Sequence, residues 1–284
     1  MNISTSFDTP QINPDLILQT SDRPPAEITV LLPHYEGEAY LPLAVQSVLE
    51  QNFRDIELWV LDDASRNTAW LETLKPWKHE PKLRVFRADR NVGTYRLKRL
   101  CIDHIKSPFI GFHDADDISE PNRFGEQRRV MIRRNLDIMG TSYRVIDPAG
   151  TVIGQKRMPF SASFWARLGK TFVLHHPTMM VRRSVFEDIG SFDGNTRVGA
   201  DTDFLLRAAH EYRMGNTKKR LFRYREHPKS LTNASDTGFG SSVRETYGRE
   251  MMMRHKARRR DPDNPKWRHP LPHDTQFTLE EISL

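Results

Sequence analysis

Apolar residues in the first half of the chain fall into short runs separated by helical patterns. Four such runs predict strands, at residues 28–32, 56–61, 83–88 and 109–112. The first has no polar alternation, as expected for a strand that is covered on both faces in a parallel sheet. Helical spacing of apolar residues follows the first and third runs, at Leu41, Val45, Val48 and Leu49, and then at Leu97, Leu100, Cys101 and Ile105. This alternation predicts an α/β fold with a mostly parallel sheet flanked by helices.

The pattern is looser after residue 118. It predicts a helix from about residue 119 to 134, a short strand at 138–140, extended segments around a turn at 148–150, and helices at 184–189 and 201–211. We therefore expect an N-terminal extension (1–25), one domain (26–235) with halves at about 26–118 and 119–235, and a C-terminal tail (236–284). The tail is basic, rich in proline and histidine, and expected to be an appendage.

Composition narrows the class of protein. The 284 residues are 37% hydrophobic and 28% charged, which is ordinary for a globular domain. The single cysteine, Cys101, excludes an intrachain disulfide and any zinc site built on several thiolates. No apolar run approaches the roughly 20 residues that span a bilayer, and residues 1–14 do not read as a signal peptide, so we expect a cytoplasmic protein.

The net charge of +6 is concentrated in basic clusters and predicts an anionic partner, which is a phosphorylated substrate, a membrane surface or nucleic acid. Nucleic acid is the weakest of these, because the clusters are scattered and no nucleic-acid-binding motif accompanies them. Residues 251–260 carry three methionines followed by a basic run. This pattern favours peripheral contact with the inner face of a membrane, the alternative being a surface helix that packs on the domain or on another subunit.

Polar groups follow every one of the four predicted strands. They occupy residues 33–36 (PHYE), 62–65 (DDAS), 89–93 (DRNVG) and 114–117 (DADD). Ligands bind outside the carboxyl ends of parallel strands, so these groups together favour a nucleoside diphosphate pocket. A dinucleotide or P-loop site is disfavoured because neither glycine-rich pattern follows the first strand. Each group taken alone also reads as a helix cap or a turn.

Three carboxylates lie within four residues directly after the fourth strand: Asp114, Asp116 and Asp117. Their mutual repulsion favours a divalent cation. Carboxylates that leave much of the cation's coordination shell unfilled suit Mg²⁺ or Mn²⁺ that also binds a diphosphate. The alternative is an acidic turn before a helix, capped by Asp117 or Ser119.

These motifs resemble those of a known family. Residues 28–65 read ITVLLPHYEGEAYLPLAVQSVLEQNFRDIELWVLDDAS and resemble the start of family 2 glycosyltransferases of the GT-A fold. Residues 91–124, NVGTYRLKRLCIDHIKSPFIGFHDADDISEPNRF, are similar to the family segment that ends in the DxD motif. Two later pieces agree: HPTMMVRRSVFEDIGSFD at 176–193 with the acceptor-side segment, and YREHPKSLT at 224–232 with a late histidine motif.

The resemblance implies a nucleotide-sugar donor, a divalent cation and inversion at the anomeric carbon. The implied donor-binding residues are Pro33, Tyr35 stacked on the base, Glu36 near the nucleoside, Asp63 accepting a hydrogen bond from the base, Lys98 at a phosphate, Asp114 at the ribose or sugar, and Ala115. The implied metal ligands are Asp116, Asp114 and His227.

The segment Gly199 to Phe204, GADTDF, is similar to the family's E-D-x-D segment. The resemblance places Asp201 where the catalytic base deprotonates the acceptor hydroxyl, and Asp203 is the more structural of the two acids. Ala200 departs from the family, which usually has glutamate there. The alternative is that both acids simply favour a helix N-terminus.

We therefore expect an inverting, non-processive transferase that moves one sugar, from a UDP-sugar by preference, to a glycan or lipid-linked glycan of a surface polysaccharide pathway. The chain lacks the membrane spans and the Q-x-x-R-W pattern of the processive enzymes. A nucleotidyltransferase is an alternative, but residues 33–38 do not supply its glycine-rich basic loop. A nucleotide-sugar-binding protein without turnover is the other alternative, which Ala200 leaves open.

Overall fold

The computed structural model describes residues 24–228, 230, 238, 240–261, 264, 269–270 and 277–284. The strands of these residues are β1 (Ile28–His34), β2 (Ile56–Asp62), β3 (Leu83–Ala88), β4 (Phe109–Phe112), β5 (Ile118–Ser119), β6 (Ile138–Ile146), β7 (Val152–Lys156), β8 (Met180–Arg182), β9 (Met214–Arg225) and β10 (Leu279–Glu281). The helices are α1 (Leu41–Leu49), α2 (Ala69–Leu74), α3 (Thr94–His104), α4 (Arg123–Arg134), α5 (Ala162–Arg167), α6 (Arg183–Ile189), α7 (Ala200–Ala208) and α8 (Ser242–Arg260). Short 3₁₀ turns lie at Lys75–Trp77 and His176–Thr178.

All ten strands form one sheet in the order β10-β3-β2-β1-β4-β8-β6-β9-β5, with β7 paired to β6. The pairs β1–β2, β2–β3 and β1–β4 are parallel, as is β6–β9. Strand β8 runs antiparallel between β4 and β6 and joins the two parallel groups. The parallel core predicted from the first four apolar runs is present, and antiparallel strands extend it.

The burial of strand β1 explains why the first predicted strand lacks polar alternation. All seven of its residues are buried, and they alternate between two cores. Leu31 packs with the helices α3, α6 and α7 on one face, whereas Val30 and Leu32 pack with α1 and α4 on the other. The sheet is therefore the middle of three layers, and each fully buried aliphatic side chain on it contributes roughly 1.5–3 kcal/mol.

The second half follows the sequence pattern less closely. The helix expected from about residue 119 begins at Arg123, because Ile118 and Ser119 pair with β9 as a short strand. The extended segments around the turn at 148–150 are the hairpin of β6 and β7. Strand β9 and helix α5 are not predicted by the pattern.

The C-terminal segment is built into the domain. On α8, Met251 is buried in the core shared with α7, and His255 and Arg258 are also buried. Strand β10 pairs antiparallel with β3, Leu279 opposite Ala88. These two elements therefore belong to the fold instead of forming an appendage, and Met251 is not available to a membrane surface. Residues 1–23 and the predicted boundary at 235 lie outside the described residues.

None of the helices in the described ranges combines the length and the apolar character needed to cross a bilayer. Cys101 is fully buried on α3, as its place on the apolar stripe predicts.

Candidate active site

The carboxyl ends of β2, β1 and β4 lie side by side, because the three strands are parallel neighbours in that order. The polar groups predicted to follow them therefore meet at one edge of the sheet. A backbone hydrogen bond of 3.0 Å from Asp63 N to His34 O joins the first two groups. An ideal Cβ at Gly37 would lie 3.6 Å from Ala115 Cβ, which places the first loop against the acidic loop.

Tyr35 and Glu36 lie just beyond β1 and form the rim of this edge of the sheet. Pro33 is buried within β1, and Tyr35 beyond it is 44% exposed, so its ring is open to a ligand. Glu36 has a left-handed backbone (φ 50°) and its amide donates to Ser65 Oγ at 2.9 Å. Its carboxylate accepts two hydrogen bonds from Arg66, at 2.5 and 2.8 Å. Glu36 thus links two loops of the rim.

Asp63 is buried and held by the loop after β3. Its two carboxylate oxygens accept from the amides of Val92 (2.7 Å) and Gly93 (2.9 Å). Gly93 has φ 88°, a conformation that favours glycine, and it brings the amide to this position. Burial raises the pKa of Asp63 although both amides oppose the rise. Each oxygen keeps a lone pair with which to accept from a nucleobase.

Asp114 and Lys98 face each other at the end of β4. The Lys98 ammonium lies 3.9 Å from Asp114 Oδ1 and donates to His176 Nε2 at 2.7 Å. Burial lowers the pKa of Lys98 and lowers that of His176 well below its usual value, so the imidazole is neutral and accepts. Burial raises the pKa of Asp114 to about 6, the carboxylates of Asp116 and Asp201 add to the rise, and Lys98 opposes it. Three carboxylates, those of Asp114, Asp116 and Asp201, are therefore close enough to interact here, and Lys98 offsets part of their negative charge.

Asp116 and His227 form the second pair. His227 Nε2 lies 2.8 Å from Asp116 Oδ2, and His227 comes from the segment just after β9. Buried Arg225 holds this loop in place, since its Nε donates to Asp116 O at 2.8 Å and its amide donates to Asp117 Oδ1 at 2.7 Å. Asp117 is fully buried and is a structural acid.

The side chains of Asp116, His227 and Asp114 could supply part of the coordination shell of a hard divalent cation. In the parts of the chain that the structure describes, no group of three or more His, Cys, Asp or Glu side chains is arranged to hold a metal. Asp116 and His227 supply two adjacent donors, and Asp114 contributes nearby negative charge. Mg²⁺ typically takes one or two carboxylates and completes its shell with substrate phosphates and water. The site suits a cation that arrives with a diphosphate better than a closed structural metal.

Asp201 lies in the first turn of α7, which begins after Gly199 (φ 78°). Its Oδ1 accepts a 2.8 Å hydrogen bond from the phenol of Tyr95 on α3. Burial raises the pKa of Tyr95 well above its usual value, and Asp201 and Asp114 both add to the rise. Asp201, the predicted base, and Asp114, the predicted acid at the donor sugar, therefore both lie near the phenol of Tyr95.

Asp203 lies on the other side of α7 and is structural. It is buried and accepts from Arg207 Nε at 2.9 Å, one helical turn away. Arg254 of α8 approaches it at 3.5 Å and also lies 3.6 Å from buried Asp193. Ala200 is fully buried at the start of α7.

Two of the histidine residues near the acids, His113 and His175, have packing roles. His113 pairs its Nδ1 with Asp114 O at 2.7 Å, and burial lowers its pKa to about 3. His175 stacks on Tyr143 with ring centroids 4.4 Å apart. Two residues of the cluster, Tyr95 and His176, are not among those that the sequence analysis assigns. Tyr95 stands three positions before Lys98 on one helix, and this spacing is the signal that would have found it.

Residues 29–190, more than half of the chain, match the family model described as Glycosyl transferase family 2. The chain belongs to this family. The family 2 enzyme is 26% identical over 219 residues to the O-antigen biosynthesis glycosyltransferase WbnJ of Escherichia coli, an alignment that covers 73% of this chain and 83% of WbnJ.

Two solved structures share the fold of this glycosyltransferase. S. aureus TarS 1–349, solved with UDP-GlcNAc, matches with a TM-score of 0.61 at 14% identity, over 84% of this chain and 74% of that one. The mannosyltransferase PcManGT of Pyrobaculum calidifontis, solved with GDP-Man and Mn²⁺, matches with a TM-score of 0.54 at 13% identity, over 83% and 63%. The predicted GT-A type α/β fold and glycosyltransferase activity are confirmed. The roles of individual side chains stay predictions.

Proposed function

We propose that this glycosyltransferase is an inverting, metal-dependent, non-processive enzyme that moves a sugar from a nucleotide diphosphate sugar to a glycan or lipid-linked glycan. The observation that carries the proposal is the position of Tyr95, which bonds to Asp201 and is close enough to Asp114 for both charges to raise its pKa. Asp201, the candidate base on the acceptor half, and Asp114, the candidate donor-binding acid on the nucleotide half, thus share one cleft.

In the proposed reaction the acceptor hydroxyl oxygen attacks the anomeric carbon of the donor, and Asp201 takes the proton of that hydroxyl. The new glycosidic bond forms as the bond from the anomeric carbon to the diphosphate oxygen breaks, and the nucleoside diphosphate leaves with the electron pair. A single displacement of this kind inverts the anomeric configuration. Tyr95 holds the carboxylate of Asp201 toward the cleft through its 2.8 Å hydrogen bond.

The leaving diphosphate needs positive charge. Lys98 supplies one cation, buried 3.9 Å from Asp114 Oδ1. We propose that Asp116 and His227, assisted by Asp114, hold Mn²⁺ or Mg²⁺, which when bound supplies Lewis acidity toward the diphosphate oxygens. Similarity to PcManGT, whose structure contains Mn²⁺, supports this assignment.

We propose a UDP-sugar as donor. Exposed Tyr35 offers a ring on which a base can stack, and Asp63 retains lone pairs that can accept from a pyrimidine N–H. The likeness to TarS, solved with UDP-GlcNAc, supports uridine, while the likeness to a GDP-Man complex makes guanosine the competing donor. The O-antigen role in the name of WbnJ supports an acceptor in surface polysaccharide biosynthesis.

The deciding experiment is a thermal-shift and calorimetry panel of UDP, GDP and dTDP, with and without Mn²⁺, on wild type and Asp116→Ala. We expect stabilisation by UDP that depends on Mn²⁺ and disappears in Asp116→Ala. Exposed Asp55 gives the matched control, since Asp55→Ala removes a carboxylate far from the cleft edge and leaves the UDP response unchanged.

Nucleotide binding without release of UDP from any UDP-sugar, in the presence of acceptor extracts, would identify a binding protein instead. Absence of binding by all three nucleotides contradicts the donor site itself. Stabilisation that is equal with and without Mn²⁺ contradicts only the metal assignment.

A further inference from the structure

Five large apolar side chains are exposed together between residues 160 and 172, on and around α5. We call this group the aromatic surface; it consists of Phe160, Phe164, Trp165, Leu168 and Phe172. Phe164 and Leu168 are 57% and 55% exposed, whereas the residues that α5 buries are the small Ala162 and Ala166. Single exposed apolar residues are normal, but a contiguous group on a monomeric domain indicates an interaction site.

The centre of the aromatic surface is formed by Phe164, Trp165 and Leu168 on and directly after α5. Phe164 and Leu168 lie one helical turn apart, and the Leu168 amide donates to Phe164 O at 3.4 Å, so both side chains lie on one side of the turn that contains α5. The rings of Phe164 and Trp165 are in edge contact with centroids 5.2 Å apart. A Cβ at Gly169 would lie 3.4 Å from the Met252 methyl group, so α8 borders the same surface.

The charge around the aromatic surface is positive. Residues 156–172 contain Lys156, Arg157, Arg167 and Lys170 and no acid. The Lys170 ammonium lies 4.3 Å from the Trp165 ring centroid, and the Arg134 guanidinium lies 3.8 Å from that of Phe160. Within the part of the chain that the structure covers, neither Lys170 nor Arg134 forms an ion pair with a carboxylate. Apolar rings with uncompensated cations at their faces fit an interface between acyl chains and anionic headgroups.

We infer that the aromatic surface docks on an anionic lipid bilayer. A second copy of the chain would bring one basic rim against another, and the repulsion of like charges disfavours that occupant. Phe172 contacts His175 with centroids 6.0 Å apart, and the next residue, His176, bonds to Lys98 in the cleft. Docking would therefore hold the acceptor side of the cleft near the bilayer. The aromatic surface is separate from the nucleotide pocket, and residues 251–260 of α8 border it through Met252.

Cosedimentation of the full chain with vesicles tests the docking. The vesicles consist of phosphatidylcholine alone or of phosphatidylcholine with phosphatidylglycerol. The wild type is compared with a double variant that carries Phe164→Asp and Leu168→Asp. We expect the wild type to bind only the anionic vesicles, less tightly at high salt, and the double variant to lose about tenfold or more in vesicle affinity. Trp165 fluorescence should shift to the blue on binding, and Trp165→Phe should lose that shift.

Leu43→Asp is the matched control, because Leu43 is 47% exposed on α1 in the other half of the domain. It should bind vesicles as the wild type does. All variants should keep the UDP response, so that loss of docking is distinguished from loss of the donor site. Vesicle binding that is unchanged in the double variant, or absent in the wild type, overturns the inference. Self-association that the same substitutions abolish, without lipid binding, would assign the surface to a second copy.

Discussion

The phenol of Tyr95 donates a 2.8 Å hydrogen bond to Oδ1 of Asp201. Tyr95 belongs to α3 of the nucleotide half and Asp201 to α7 of the acceptor half, so the bond joins the two halves. Burial disfavours an unpaired phenol or carboxylate, so each side chain keeps the other in place. The two halves meet at the group that is proposed to remove the acceptor proton.

Replacing the proposed base should stop transfer and spare donor binding. Asp201→Asn keeps the shape and the partner of Tyr95 but cannot take a proton. We expect a loss of about 10²- to 10⁴-fold in kcat, the usual contribution of a general base, with the UDP-induced thermal shift retained. Product formation measured beside the thermal shift checks this. Equal losses in both readouts would assign Asp201 to donor binding.

Removal of the Tyr95 hydroxyl should lower kcat more than it changes the donor KM. In Tyr95→Phe the carboxylate of Asp201 is no longer oriented, and we expect about a tenfold decrease in kcat. Tyr212→Phe is the matched control, because that phenol also donates to a carboxylate, Asp188, at the exposed surface. A Tyr95→Phe enzyme with wild-type kcat would show that the bond serves packing alone.

Loss of Lys98 should change both donor affinity and the acid limb of the activity profile. The Lys98 ammonium opposes the rise that burial causes in the pKa of Asp114, which stands at about 6. In Lys98→Met this pKa rises further, so a higher pH is needed to keep the carboxylate ionised. We expect the acid limb of kcat/KM to move to higher pH and the donor KM to increase. Lys106→Met, at an exposed position after α3, should leave both unchanged.

The buried ion pair inside α7 should be sensitive to loss of one partner. Arg207 bonds to Asp203 and also donates to the carbonyls of Ile189 and Ser191, all in the core. Arg207→Met removes the cation that bonds to the buried carboxylate of Asp203. We therefore expect a loss of about 3–5 kcal/mol in the free energy of unfolding. Urea denaturation measures it. The exposed pair of Lys75 and Glu72 is the comparison, and Lys75→Met should change stability far less.

His175 should make the protein sensitive to acid. Burial, with Arg123 adding, lowers the pKa of His175 from 6.5 to about 3 in the folded state. Below pH 6.5 the unfolded chain binds a proton that the folded chain rejects, so folding stability falls with pH. At about pH 5 this amounts to about 2 kcal/mol at roughly 1.4 kcal/mol per unit.

His175→Phe keeps the stack on Tyr143 and removes the titrating nitrogen. The loss of stability from neutral pH to about pH 5 should be smaller in this variant by about 2 kcal/mol. An identical loss of stability between neutral pH and about pH 5 in variant and wild type would show that the folded protein binds a proton at His175 as readily as the unfolded chain does.

Burial pattern explains which elements the sequence predicts. Strands β1 to β4 are predicted within one or two residues, because the buried strands of a parallel sheet are mostly apolar runs. Strand β9 is not, since its central lysines and arginines look like a solvated segment although the strand pairs with β6 along its length. Strand β10 has only three residues and is defined by pairing with β3, which the local sequence does not encode.

The candidate site divides in the same way. The acids after β2 and β4 can be placed from sequence, because the strand ends of a parallel sheet meet at one edge. The contacts of Asp201 with Tyr95 and of Lys98 with His176 cannot, since they join residues 106 and 78 positions apart. Their partners depend on the packing of α3 against the acceptor half.

Strand β10 has a consequence for how the molecule behaves among its copies. Without it, the six residues of β3 would present a row of unpaired amides and carbonyls, and such an edge is a template for intermolecular strand pairing. The outermost strands of the sheet order, β10 and β5, have only three and two residues. Each is too short to recruit a neighbour efficiently, so the segment 279–281 protects a crowded solution of this enzyme from aggregation through the sheet edge.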